Sequence, residues 1–367
     1  GLFTFAGLTA QANVNKPSEK VIRPANRRAG EQPRGEFSTG EKLVLDSAES
    51  TWRPMGFMTR TTLWTHEHLT TLGLTDAQLK QHLRDGTMVR LRRGVYAPTQ
   101  QADVFAEHRR RIQAAAIDVH DSSVFSHTSA AVLHGLPVPI ESLREVTMTR
   151  RTPGHGDHSD LLRVRRTAIH DDEVTRIAGL PVTTLSRTVT DLARTSPFEW
   201  GLAVVDAALG RGLKRGFLQD ELHRHPRLHG VRQARRVLAL GDGRVESPAE
   251  SLSRFHMMRA GIPAPELQFE IFDANGEFVA RTDFGWPEHG LVGEVDGRIK
   301  YRELLGPGQS AADVVMAEKR REQRIRACGY WIVRWGWREA NDQASLTALL
   351  NAGFASASPA WTARRSS

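Results

Sequence analysis

A single cysteine, Cys328, in 367 residues excludes an intramolecular disulfide framework and any zinc site built from several thiolates. Long apolar runs are missing as well. Nothing approaches the roughly eighteen residues that a membrane span requires, so no membrane partner is expected. Residues 1–12 are mildly apolar but offer no basic leader and no convincing cleavage site, which argues against a signal peptide. With cysteine so scarce, a reducing, cytoplasmic setting is expected. There is no Walker loop and no dinucleotide fingerprint, so no nucleotide cofactor is expected either. A Gly-x-Ser-x-Gly elbow and a His-Glu-x-x-His pair are also missing, which removes two familiar hydrolase patterns.

What the chain does have is positive charge. The formal net charge is +8 and the isoelectric point about 10.1, while 40% hydrophobic and 25% charged residues are ordinary for a globular protein. The excess is mostly arginine, whose planar guanidinium suits bidentate contact with phosphate. That favours a nucleic-acid partner over a merely solvated basic surface. The length allows two or three folded units.

Residues 1–57 hold scattered prolines, glycines and charges that interrupt every apolar period, and read as a disordered arm or a non-native extension. Order begins in residues 58–100. Thr65 caps a short helix, Gly73-Leu74 turns, and Thr75 caps a second helix over Asp76–Arg84. The run Met88 to Tyr96, turning at Arg93-Gly94, predicts a basic hairpin. Helix, turn, helix and wing together predict a winged helix-turn-helix. Gln78, Lys80, Gln81 and Arg84 would then face the DNA groove, and Arg90, Arg92 and Arg93 the phosphates. The bland alternative is a solvated helix beside a hairpin.

The phrases Gly73-Leu74-Thr75, Leu91-Arg92-Arg93-Gly94-Val95-Tyr96, Ser126-His127-Thr128-Ser129 and Leu133-His134-Gly135-Leu136-Pro137 occur in this order. Leu180-Pro181-Val182-Thr183-Thr184, Arg187-Thr188-Val189 and Asp191-Leu192-Ala193 follow. Over residues 60–210 this resembles the AbiEi-type antitoxin and transcriptional regulator family. The resemblance implies a DNA-binding winged helix, a following α/β domain, and a cognate toxin as a second partner.

Residues 101–240 alternate between helical and strand patterns and predict a mixed α/β domain. His127 and His134 lie in an apolar helical stretch, where a satisfied core histidine is the ordinary outcome. The clusters His155-Gly156-Asp157-His158 and His223-Arg224-His225 lie beside turn signals and read as solvated, with zinc binding as the lesser alternative.

Gly241-Asp242-Gly243 marks a boundary, and Ser247-Pro248 opens a helix in cap-then-proline order. Two strands then flank Asn275-Gly276, a strong hairpin signal. A third strand runs over Leu291–Asp296, a basic helix ends at Gly329, and a fourth strand covers Tyr330–Trp335. The order is αβββαβ over 244–338, with a short helix and flexible tail expected over 339–367. The fold class is thus α/β (α+β) in three units. Glu294 and Asp296 are two apart on one strand and share a face, with Asp283 closing the neighbouring strand. Crowded carboxylates repel unless a cation neutralises them, and Mg²⁺ or Mn²⁺ suits oxygen ligands.

Arg281-Thr282-Asp283-Phe284, Glu294-Val295-Asp296-Gly297, Lys300-Tyr301, Glu318-Lys319-Arg320-Arg321 and Val333-Arg334-Trp335 resemble the PD-(D/E)XK nucleases, closest to the very-short-patch-repair branch. The resemblance implies a metal-dependent DNA endonuclease with Asp283 and Glu294 as ligands and Glu250 as an extra contributor. The superfamily's lysine position is Asp296 here, so Asp296 joins the metal shell or Lys300 supplies the cation near the attacking water. Lys319, Arg320, Arg321 and Arg324 form a phosphate-binding wall in this reading, and a solvated helix face in the alternative. Two functions stay open: an active endonuclease, or an AbiEi-like regulator whose nuclease-like domain only binds.

Overall fold

The computed structural model describes residues 62–117, 120, 122–151, 157–159, 161–296 and 311–357. The expected arm over 1–57 and Lys300 lie outside the described residues.

The described chain begins with β1 (Trp64–Thr65) and two capped helices, α1 (His66–Thr71) and α2 (Asp76–Arg84). Thr65 accepts from His68 N, and Thr75 forms a full capping box with Gln78, so both starts follow from local sequence. β2 (Met88–Arg92) and β3 (Val95–Pro98) pair antiparallel around Gly94, whose φ of +77° suits glycine. Leu69, Leu79 and Tyr96 join the helices to this hairpin. Leu91, Val95 and Ala97 pack on Ala114 of α3 (Val104–Ala116), so the hairpin is fixed to the next unit.

That unit holds β4 (Ser123–Phe125), α4 (His127–His134), β5 (Val146–Arg150), β6 (Asp157–Ser159), β7 (Leu162–Arg166), β8 (Val174–Ile177) and β9 (Leu180–Thr183). The six strands form a mixed sheet in the order β6-β7-β5-β4-β9-β8. A helical layer follows: α5 (Leu185–Thr195), α6 (Phe198–Gly210), α7 (Arg215–Arg224) and α8 (Val231–Leu240). Val189, Leu192, Leu202, Val205, Leu218 and Val237 form its core.

The last unit has α9 (Pro248–Arg259), β10 (Glu266–Phe272), β11 (Phe278–Trp286), β12 (Leu291–Val295), α10 (Ala311–Ala327) and β13 (Trp331–Trp335). This is the αβββαβ order that the sequence predicts. The sheet runs β10-β11-β12-β13, antiparallel except for the β12–β13 pair. Parallel pairing there requires a crossover, which α10 supplies. α10 packs on one face through Ile325, beside Ile271, Val292 and Ile332.

Two expectations about boundaries are corrected. α9 does not simply begin a separate unit: Phe255 is buried in the helical core, and Met257 in the core of the four-stranded sheet. The chain also does not end its core at 338. α11 (Trp337–Ala340) and α12 (Gln343–Ser356) cover the second sheet face, where Ala340, Leu346 and Leu350 join Phe284, Leu291 and Trp335. The sheet has two apolar faces, and α10 covers only one of them. α12 approaches β13 closely at Gly353, where a Cβ would stand 2.5 Å from Val333 Cγ2.

Leu350→Ala should therefore destabilise the protein by about 2–5 kcal/mol, read from the urea midpoint at unchanged slope. A loss near zero, as for a flexible tail, would contradict this placement.

Candidate functional site

The expected carboxylates meet on one row that crosses the four-stranded sheet. Glu294 on β12 is paired with Arg334 on β13. Phe284 pairs with Gly293, so the next step of that ladder sets Asp283 beside Glu294. Leu267 pairs with Phe284 and Phe269 with Thr282, which places Gln268 across from Asp283. The row therefore reads Gln268, Asp283, Glu294, Arg334.

The inward-outward alternation changes phase on this row. Leu267 and Phe284 enter the core under α12, whereas Phe269, Ile271 and Ala280 enter the core under α10. Gln268 carries the irregularity at φ +54°, a left-handed backbone that non-glycine residues rarely adopt. Local breaks of this kind re-aim side chains. Here the break brings Gln268 to Glu250 of α9, whose Oε2 accepts from Gln268 Nε2 at 3.1 Å and from Glu246 N at 3.0 Å. Gln268 Oε1 is buried with no hydrogen-bond partner.

Glu250 is only 6% exposed. Burial, and then the neighbouring Asp283 charge, push its pKa up to about 7. Asp283 accepts from Val295 N at 2.8 Å, which ties β11 to the end of β12. Asp296 follows at the exposed strand end, its N–H bonded to Trp335 O at 2.8 Å.

Glu294 has a different environment. Oε1 is held by Arg321 of α10, and Oε2 accepts from Arg334 Nε at 2.9 Å. Burial pushes this carboxyl up, but the bonds and charges of the two arginines outweigh it and leave the pKa below its ordinary value. Arg321 thus turns inward, also donating to Arg281 O at 2.9 Å. Lys319, Arg320 and Arg324 are exposed, and Arg324 also reaches Phe278 O at 3.2 Å. Arg334, quoted in the resemblance without a role, is the partner that sequence reasoning missed. Among the described residues, Asp283, Glu294, Asp296 and Glu250 do not form a three-ligand group with all ligand atoms within 4.8 Å.

In the N-terminal unit, Gln78, Lys80, Gln81, Arg84, Arg90 and Arg93 are exposed. Gln78 is engaged in its capping box, and Gln81 bonds Asp85 and receives Arg84. Arg92 is half-buried and donates to Ala115 O at 3.3 Å, so at least part of its work is holding α3.

Two of the histidines, His127 and His225, sort differently from expectation. His134 is satisfied through Thr183 O at 2.8 Å. His127 is buried at φ +49°, and its Nε2 has no hydrogen-bond partner. His225, read as solvated, is only 8% exposed. Its polar neighbours in sequence conceal this, because the groups it contacts, Glu173 and Arg187, come from distant segments. The one local signal was Glu221 four residues earlier on α7, which shares a helix face with the following turn.

No protein-family model matches the chain. Two uncharacterized proteins of Mycobacterium tuberculosis, MT2308 of strain CDC 1551 / Oshkosh and Rv2248 of strain ATCC 25618 / H37Rv, are each 29% identical over 268 residues. Each match covers 71% of this chain and 89% of the relative. The crystal structure of the RV2827C protein from Mycobacterium tuberculosis gives a TM-score of 0.34 at 15% identity, covering 57% of this chain and 83% of that one. That likeness is too low to assign a fold.

Glu250 gives a pH prediction. Its folded pKa of about 7 lies above the ordinary 4.5, so the native state keeps a proton that the unfolded chain releases. Its contribution to stability is full below about pH 4.5 and is lost as pH rises through about 7, roughly 3 kcal/mol in all. Glu250→Gln should match the wild type at pH 4.5 and exceed it at pH 8 in urea unfolding without divalent cations. Equal stability at both pH values would show that Glu250 is not strained.

Proposed function

We propose that this chain is a DNA-binding protein whose C-terminal unit is a metal-dependent endonuclease of the PD-(D/E)XK type, brought to DNA by an N-terminal winged helix. The observation that carries this reading is the confrontation of Glu250 and Asp283 at a break in the strand alternation. Glu250 is buried beside the Asp283 charge with donors that do not offset that burial, and a divalent cation fits such a donor set. Glu250 and Asp283 would hold Mg²⁺ or Mn²⁺, with Asp296 at the adjoining strand end. When bound, the ion supplies charge neutralisation and an acidified water for attack on phosphorus. Gln268 orients Glu250, and the backbone of Val295 orients Asp283. Lys319 and Arg320 lie exposed on α10 and supply charge for the DNA backbone.

One observation favours a second reading, a regulator or antitoxin that binds without cutting. Glu294, the ligand that the resemblance implies, is already engaged by Arg321 and Arg334. A site that keeps this clamp uses Glu294 to hold α10 on the sheet rather than to bind metal.

The deciding experiment is nicking of supercoiled plasmid by the full chain with Mg²⁺ or Mn²⁺. The endonuclease reading expects nicking, and a loss of at least ~100-fold in Asp283→Ala, as for removal of a metal ligand. No nicking, or an unchanged rate in that variant, rejects it. DNA binding is tested separately with the Arg90→Ala/Arg93→Ala double variant. Affinity should fall uniformly across sequences, and the slope of log K against log salt should shrink by about 2. Unchanged affinity and slope would remove the hairpin from the interface.

A further inference from the structure

Away from the carboxylate row, a second cluster of ligating groups lies inside the central unit. Glu173 Oε1, Glu221 Oε1 and His225 Nε2 point at one another, and all three residues are buried. Among the described residues, this is the group of three whose ligand atoms all lie within 4.8 Å. Glu221 and His225 stand four apart across the end of α7, and Glu173 comes from the turn Asp171–Glu173 that precedes β8.

The hydrogen bonds of this cluster do not close. His225 Nε2 faces two carboxylate oxygens, which only accept, and Arg187 NH1 at 3.0 Å, which only donates. One in-plane position on the ring cannot serve both. A proton there suits the carboxylates and opposes Arg187, and its removal reverses the conflict. Glu221 Oε1 is buried and receives no hydrogen bond, with His225 Nε2 at 3.5 Å and Arg187 NH1 at 4.0 Å. This second observation points to a ligand, because a buried carboxylate oxygen without a donor costs about 1–3 kcal/mol or more.

Glu173 divides its two oxygens between the cluster and its surroundings. Glu173 turns Oε1 inward, while its Oε2 accepts from Arg187 NH1 at 2.8 Å and from His170 N at 2.8 Å. Arg187 is anchored in turn by Asp191 Oδ2 at 3.0 Å and Ala168 O at 3.3 Å. Arg224 stands 3.8 Å from Glu173 Oε1 but bonds Asp172 at 2.7 Å. Such outer bonds fix the orientation of ligating carboxylates. Atoms ligating one tetrahedral zinc at roughly 2.0–2.2 Å stand about 3.3–3.6 Å apart. His225 Nε2 and Glu221 Oε1 are 3.5 Å apart, while His225 Nε2 bonds Glu173 Oε1 directly, a bond that zinc would replace.

We propose that Glu173, Glu221 and His225 bind a divalent transition metal of the zinc class, stapling the 171–173 turn to α7. One imidazole with two carboxylates suits zinc better than the all-oxygen shells of calcium or magnesium. This site is independent of the endonuclease reading and shares no residue with it.

The test uses the full-length chain carrying Asp283→Ala, so that metal at the carboxylate row does not enter the count. After stripping with chelator, Zn²⁺ is added, the protein is dialysed, and retained metal is measured by mass spectrometry. One zinc per chain is expected, with His225→Ala weakening it at least ~100-fold and Glu221→Gln at least ~10-fold. Co²⁺ should give visible absorption that His225→Ala alters. If His225→Ala does not fold, the near-isosteric Glu221→Gln decides. No retained zinc, or retention unchanged in Glu221→Gln, overturns the proposal and leaves a proton-sharing cluster. Loss of plasmid nicking bears only on the carboxylate row.

Discussion

One helix has to satisfy two cores, and much of the molecule follows from that constraint. α9 sends Phe255 into the helical layer and Met257 into the core of the four-stranded sheet. Its polar residues are used as well. Ser251 donates to Asp206 of α6 at 2.8 Å, and Ser253 accepts from Trp335 Nε1 of β13 at 2.8 Å. Glu250 lies on the same short stretch and therefore cannot move away from the sheet without disturbing both cores. Rigid support of this kind is what a site needs if two repelling carboxylates are to be kept together.

The protein handles buried acids in different ways, and the contrast explains why the carboxylate row is unusual. Glu294 is offset by two guanidinium groups and stays ionised. Asp206 has Ser251, Asp242 N and Arg254 as donors, yet burial outweighs them and raises its pKa to about 6. Asp191 is completely buried but bonded to Arg187 and Arg194. Glu250 has only neutral donors, Glu246 N, Gln268 Nε2 and the Ser247 side chain, and a like charge nearby. Buried ions without compensating partners are costly and tend to mark functional sites.

Local chemistry was readable wherever it was strong. Thr65, Thr75 and Ser247 cap helices where the sequence places them. The Asn275-Gly276 turn and the αβββαβ order are present as expected. α12 was read short because its stripe of Leu346 and Leu350 is set among alanines and serines, so its packing on β13 could not be inferred from periodicity. His225 was misplaced for a related reason: burial of a polar segment depends on partners 38 and 52 residues away.

By itself the sequence determined element types and order, the positive charge, and which acids would lie near strand ends, because caps, turns and alternation act over a few residues. The carboxylates' neighbours were decided only by tertiary structure. The phase change at Gln268, the clamp on Glu294 and the Glu173–Glu221–His225 cluster all need register and packing between segments far apart in the chain. Such contacts depend on which faces two cores can bury, and no local pattern of residues encodes that.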